Sequence, residues 1–299
     1  MKRLIITAAL CALLLPASAM AKPKPINAIE AATQVEQTER DFDAFTHVHG
    51  YAKGFFQYST PDAVNFHPEA FAIHAKLAED LKTDSSDKPS KLRWGPHWVG
   101  MAGSRDMAWD LGPWWVEGTD KAGWFFTVWQ RQADGTWLWV LDGGAGPDTP
   151  GHLPKPTDNV RSFNIGVSPT PETSAGEASG LDDKYNTALA TGTAPHAYNL
   201  LSWSLPDIVA GDSGPPATSQ LPSPKADTDR NAMLASRPAG LIWTRDGEGG
   251  SSGGDMVYTY GHASAADGTF KGHYVRVWHK LSAEATSWVV TADIYQSAE

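Results

Sequence analysis

The sequence predicts an α+β protein built from two copies of one domain. Three observations lead there. Helix-like segments come first and strand-like segments follow, instead of alternating with them. A set of residues recurs at constant spacing. A proline-rich stretch separates the two occurrences. Leu92, Trp94, Asp106, Met107, Gly112, Gly123, Val128 and Trp129 recur 149 positions later as Leu241, Trp243, Asp255, Met256, Gly261, Gly272, Val277 and Trp278. Two residues are then gained where ADGT gives way to SAEATS, in a hairpin loop that tolerates insertion. Beyond that loop Trp137 and Asp142 recur 151 positions on, as Trp288 and Asp293. The helical part of the second copy is the faintest, anchored by Pro206-Asp207-Ile208-Val209 against Pro61-Asp62-Ala63-Val64. The expected domains are 22–144 and a divergent 176–299, joined by a linker over 145–175 with room for one short strand at 160–167.

Within the first copy, residues 29–45 place Ala32, Val35 and Phe42 at helical spacing among polar neighbours. A short helix follows over 51–58, then a strand at TPDAVNFHP and a helix over 68–81. From Leu92 onward the composition turns aromatic and β-branched. Strands are expected at 94–101, 107–116, 123–131 and 136–142. Turn residues separate them: Gly103-Ser104-Arg105-Asp106, Gly118-Thr119-Asp120 and Ala133-Asp134-Gly135. In strand 123–131, Trp124, Phe126 and Val128 share one face and Phe125, Thr127 and Trp129 the other. Both faces are largely apolar, so each needs a cover. The helices supply one cover and the sheet of the second copy, two-sided in GHYVRVWHK, supplies the other. The two copies are therefore expected to pack as an intramolecular pseudo-dimer.

The ends and the composition limit the function classes. Lys2-Arg3, an apolar run over 4–15, Pro16 and Ala19-Met20-Ala21 read as a signal peptide over 1–21. That run is too short for a permanent span, so no stable membrane insertion is expected after its removal. The single cysteine, Cys11, lies inside it, so a processed chain has no thiolate chemistry and no Cys-held metal. Loss of Lys2 and Arg3 from 24 basic against 34 acidic residues moves the formal charge from -10 to -12. Such a balance argues against nucleic acid as a partner. The expected location is periplasmic or secreted.

The order of elements, with the DAV-type strand, LRWGP, the Gly/Ser-Asp turn and GWFFTVWQRQADGTWLWVLD, resembles nuclear transport factor 2-like domains. The resemblance is to the SnoaL-like and ketosteroid isomerase-like branch, many of whose members have no assigned function. It is strong over 29–144 and weaker over 177–294, where RVWHKLSAEATSW replaces TVWQRQADGTW. It implies two tandem cone-shaped domains, each a curved antiparallel sheet wrapped on helices around an apolar pocket, and pairing through the sheets.

The resemblance also frames the candidate chemistry. Isomerase-type catalysis uses a carboxylate base in an apolar pocket and a neutral acid as oxyanion donor. Asp110 is mid-strand, where an acid needs a partner or a purpose, and it is the candidate acid-base group, with His97. The competing account has Asp110 exposed or paired with an arginine, and Thr259 stands at its place in the second copy. Asp142 ends the last strand, without a Tyr and paired-Asp set to go with it. Asp106 and Asp255 are expected to make turn-type hydrogen bonds. His67 and His74 are candidate pocket residues with His97, against a competing account as surface histidines; no metal-ligand spacing accompanies them. Nine of the thirteen tryptophans fall between Trp94 and Trp139. Those repeated in the second copy read as core, while the unrepeated Trp109, Trp114, Trp115 and Trp124 are the candidate ligand contacts. Trp124 is replaced by His273, so the two pockets are expected to differ. Gly-rich 246–255 lacks the Lys-Ser/Thr of a phosphate loop and reads as a hairpin turn. The expected function is binding of a small apolar or aromatic ligand, with no cofactor and no metal. The alternatives are an isomerase, cyclase or dehydratase using a pocket Asp or His, and a protein–protein assembly module.

Overall fold

The computed structural model describes residues 25–145, 160–164, 174–192, 209–211, 237–280 and 288–298. The expected signal segment, most of the linker and most of the helical part of the second half lie outside these residues. Helix α1, Ala28–His49, starts at an Asn27 cap whose Oδ1 accepts from the Glu30 amide. It ends where Gly50 takes φ of 97° and the backbone turns under the Lys88 carbonyl, a place with no room for a Cβ. Helix α2, Tyr51–Tyr58, coincides with the expected segment. Strand β1, Ser59–Phe66, then turns back through β2, Ala70–Ala72. Helix α3, Ile73–Thr83, therefore begins five residues later than the sequence predicts, because the chain from Ala70 is committed to the ladder.

The aromatic half forms β3 (Leu92–Trp94), β4 (Trp98–Met101), β5 (Met107–Val116), β6 (Ala122–Arg131) and β7 (Trp137–Ala145). The single strand expected at 94–101 divides at Gly95-Pro96, where proline has no amide for the ladder. The short strand expected in the linker is β8, Arg161–Asn164, parallel to β4. Sheet order is β2-β1-β7-β6-β5-β4-β8, with β3 also paired to β5.

The second half contributes α4 (Ser174–Ala190), β9 (Val209–Gly211), β10 (Ile242–Gly250), β11 (Met256–Ser264), β12 (Phe270–Lys280) and β13 (Trp288–Ser297). Its sheet runs β10-β11-β12-β13-β9. Only the end of the Gly-rich stretch is a turn. Asp246–Gly250 belong to β10, and Gly247 and Gly249 lie beneath the Tyr260 and Tyr258 rings, within 2.4 Å of where a Cβ would stand.

Strand pairing recurs between the halves. Asp110 opposes Thr127 and Thr127 opposes Asp142; 149 to 151 positions on, Thr259 opposes Arg276 and Arg276 opposes Asp293. The same bulge falls at Val128/Trp129 and at Val277/Trp278. A parallel pair adjoins the last hairpin strand in each sheet, Val64–Leu141 between β1 and β7 and Val209–Ala292 between β9 and β13.

Three apolar cores result. Helices α1 to α3 cover one face of the first sheet, burying Val35, Phe42, Phe55, Trp94, Trp129 and Trp139. Helix α4 covers one face of the second, over Tyr185, Trp243, Trp278 and Trp288. The remaining faces meet in a shared core of Trp98, Trp109, Trp124, Phe126 and Val128 with Met256, Val275, Val277 and Ile294. At its edge two turns exchange hydrogen bonds: Asp106 Oδ2 accepts the Ser252 amide at 2.9 Å and Asp255 Oδ2 accepts the Gly103 amide. The expected intraturn contact is present as well, in Ser104 Oγ to Asp106 and in Ser251 Oγ to Asp255.

Candidate functional site

On the helix side of the first sheet is a cavity of about 260 Å³. Its wall is made by Phe42 of α1, Tyr51 and Phe55 of α2, Asn65 and Phe66 of β1, Leu92 and Trp94 of β3, Trp114 of β5, Phe125 of β6, and Asp142, Gly143 and Gly144 of β7. Gly144 keeps it open, since a Cβ there would stand 3.3 Å from the Trp114 indole nitrogen. Asp142 supplies its acid. Asn65 Nδ2 donates to Oδ1 and Thr127 Oγ1 to Oδ2, each at 2.9 Å. Burial, then the charge of Glu39, raises the Asp142 carboxyl well above the usual carboxylate range despite those two donors.

Behind the cavity lies a second carboxyl group pair. Glu39, wholly buried on α1, accepts the Trp94 indole N–H at Oε1 and the Trp129 indole N–H at 3.2 Å. The Trp129 N–H is shared with Asp110 Oδ1 at 3.1 Å. No donor reaches Asp110 Oδ2, and the Asp110 carboxyl hydrogen-bonds Glu39. Burial, then the neighbouring Glu39 charge, raises the Asp110 carboxyl well above its ordinary range. Burial likewise pushes Glu39 up to about 7. Asp110 is thus neither exposed nor paired with arginine, as one reading of the sequence had it; its partners are a second acid and an indole.

Glu39 rises from 4.5 when unfolded to about 7 when folded, so its contribution to stability is complete below 4.5 and lost as pH rises through 7. Relative to Glu39→Gln, the wild-type chain should lose about 3 kcal/mol between pH 4.5 and pH 8. Urea denaturation of both proteins across that range measures the difference, and a difference independent of pH would show that Glu39 titrates normally.

Of the residues singled out in the sequence, Trp114 lines the cavity and Asp110 lies behind it. Trp109 and Trp124 are buried in the core between the sheets, on the opposite face of β5 and β6. Trp115 is half-buried at the end of β5, opposite Ala122. His97 is half-buried against Trp98 and Trp124. His74 stacks on Phe56, with Nδ1 2.8 Å from Ser59 Oγ, and His67 is exposed. None of the three histidines lines this cavity. His273, at the Trp124 position, stacks on Phe66 at 4.1 Å across the inter-sheet core.

The residues that sequence reasoning passed over are Glu39, Asn65 and the aromatic liners Phe42 and Phe125. Glu39 carried a readable signal: it follows Val35 by four and precedes Phe42 by three, in the middle of an apolar stripe. Asn65 had none, because its role depends on β1 pairing in parallel with β7.

No protein-family model and no curated protein matches the chain. Solved structures described as NTF2-like, ketosteroid isomerase-like or cystatin-like match about 40% of it. An NTF2-like protein from Pseudomonas putida is 14% identical, covering 44% of this chain and 97% of its own, with a TM-score of 0.31. The CaMKII hub of S. rosetta is 18% identical, covering 43% and 100%, with a TM-score of 0.32. A cystatin-like fold protein from Burkholderia xenovorans is 16% identical, covering 42% and 92%, with a TM-score of 0.34.

Proposed function

We propose that this chain is an exported, periplasmic or secreted protein of two tandem nuclear transport factor 2-like domains paired sheet to sheet, and that its first domain binds a small aromatic or apolar molecule. The observation that carries the binding reading is the 260 Å³ cavity, walled by Phe42, Trp94, Trp114 and Phe125 around one carboxyl group. Apolar walls with one or two placed polar groups are the usual makeup of a small-molecule site, and this volume sits at or below the roughly 300–1,000 Å³ typical of such sites, so a single ring fits best. Support for tandem pairing comes from the recurring register and the turns exchanged at Asp106 and Asp255. The assembly reading wants a broad exposed apolar patch. The large apolar residues exposed among the described ones are Ile29, Val48, Tyr51 and Ile242.

Titration with indole, followed by isothermal titration calorimetry, tests the binding reading. Indole is expected to bind at a single site, and Trp114→Ala to weaken binding about tenfold by removing one ring contact. Unaltered affinity in that variant would place the ligand elsewhere. The enzyme reading draws support from one observation, the raised Asp142 carboxyl facing the cavity, which is suited to donate a proton or hydrogen bond to a bound carbonyl.

A further inference from the structure

The second half holds, at the place of this cavity, a buried arginine. Arg276 stands 149 positions after Thr127 and is 1% exposed. Its guanidinium lies 4.0 Å from the Tyr274 ring centre, 4.3 Å from that of Tyr185 and 6.0 Å from that of Trp243. Its Nε donates to Asp293 at 3.2 Å and its Nη1 to Asp182 and Asn186, both at 2.8 Å.

Each of these neighbours has a counterpart in the first half. Strand register equates Tyr274 with Phe125, Trp243 with Trp94 and Asp293 with Asp142. Helix register comes from a shared hydrogen bond: the Trp137 indole donates to Gln34 and the Trp288 indole to Glu177, 143 positions on. The same step of 143 equates Tyr185 with Phe42, Asp182 with Glu39 and Asn186 with Asp43. Thus the three rings and the carboxylate Asp293 that hold the Arg276 head correspond to Phe42, Trp94, Phe125 and Asp142, all of which line the cavity. Two of the exchanges fill the site in the second half. Thr127 stands for Arg276, and Gly144 stands for Tyr295, whose ring packs 5.1 Å from Trp243.

Charge points the same way. In the second half Asp182 and Asp293 face Arg276 and Arg237. In the first half Glu39, Asp110 and Asp142 are buried together, and among the described residues no lysine or arginine pairs with any of them. Buried acids without a cation are rare unless they stay neutral or receive a partner.

We propose that the first-half cavity takes a small planar cation, an amidinium or guanidinium carried on a ring or short apolar group, seated between the rings and against Asp142 as the Arg276 head is seated against Asp293. This names the ligand class of the binding site proposed above and rests on that reading. A planar fork suits a carboxylate whose two oxygens each accept one bond already, since each oxygen has a further lone pair. The rings add cation–π attraction, stronger in a desolvated site. Binding draws Asp142 into its ionised form, so a proton is released and affinity rises with pH.

The test uses the full chain, with benzamidine as the cation and benzamide as its neutral counterpart, by isothermal titration calorimetry. Benzamidine is expected to bind at least tenfold more tightly than benzamide at pH 8, with the gap narrowing at pH 6. Asp142→Asn should erase the preference while still admitting benzamide. Thr127→Arg should fill the cavity from within and abolish benzamidine binding. Equal affinity of the two probes for the wild-type protein overturns the cation proposal and leaves an aromatic pocket standing. Failure of benzamidine, benzamide and indole alike removes the pocket reading and this proposal together. Benzamidine binding that survives both variants unchanged places the cation elsewhere and overturns the proposal.

Discussion

Replacing Arg276 by methionine is expected to destabilise the second half by about 3–5 kcal/mol, the usual cost of removing one partner from a buried ionic group. Two carboxylates depend on it. Asp182 also accepts from Thr259 Oγ1 and the Tyr274 hydroxyl, each at 2.9 Å, and Asp293 from the Tyr185 hydroxyl at 2.8 Å. Burial alone would raise the Asp293 carboxyl; the charges of Arg237 and Arg276 outweigh it and hold Asp293 below the ordinary value. Asp142, at the same place in the other sheet, has no such charge and is raised. Arg276 in place of Thr127, together with Arg237, therefore shifts equivalent carboxyls in opposite directions. Urea denaturation measures the loss. Adding Asp182→Asn to Arg276→Met should recover part of it, because the stranded charge is removed. A loss below about 1 kcal/mol would mean the guanidinium is hydrated and its burial unimportant.

Much of this arrangement was legible in the sequence and some was not. The hairpin strands, their turns and the constant step of 149 were visible, because tryptophan and glycine resist substitution where a strand crosses a core. The two-sided apolar character of 123–131 correctly implied a cover on each face. The correspondence proposed between α1 and α4 was not visible. Helix α4 shares the register of α1, yet Phe42 is matched by Tyr185, Glu39 by Asp182 and Asp43 by Asn186, so that hardly any identity survives. Only the indole bonds from Trp137 and Trp288 align the two helices. The same gap explains the tryptophans. Whether a residue was repeated did not tell which face of the sheet it occupied: unrepeated Trp109 and Trp124 point between the sheets, whereas repeated Trp94 lines the cavity. Facing follows from strand parity, and alternation along a strand separates its two faces without telling which of them the helices cover.

Truncating Trp109 to alanine is expected to cost about 3–5 kcal/mol, the range for deleting a large aromatic from a packed core. Trp109 is wholly buried between the two sheets and stacks on Phe126 at 5.8 Å. Its indole lies over Gly100, where any Cβ would stand 2.2 Å away, so the space it leaves cannot be closed by a neighbouring side chain on β4. Its N–H donates across the interface to His279 Nε2 at 3.4 Å. Burial depresses the His279 imidazolium to about 3, so the ring stays neutral and accepts through the whole physiological range. The consequence is not confined to one half. Met256, Val275 and Val277 of the second sheet share this core, so the wild-type halves should melt together and Trp109→Ala should split the calorimetric transition in two. Trp109→Phe keeps most of the apolar contact and loses the donated bond, and should cost about 1–2 kcal/mol with a single transition retained. If Trp109→Ala lowers stability by less than about 1 kcal/mol and leaves the melting profile unchanged, the sheets do not pack against each other in solution. The recurring strand register would then reflect two independent domains, and the bonds at Asp106 and Asp255 would be incidental to their stability.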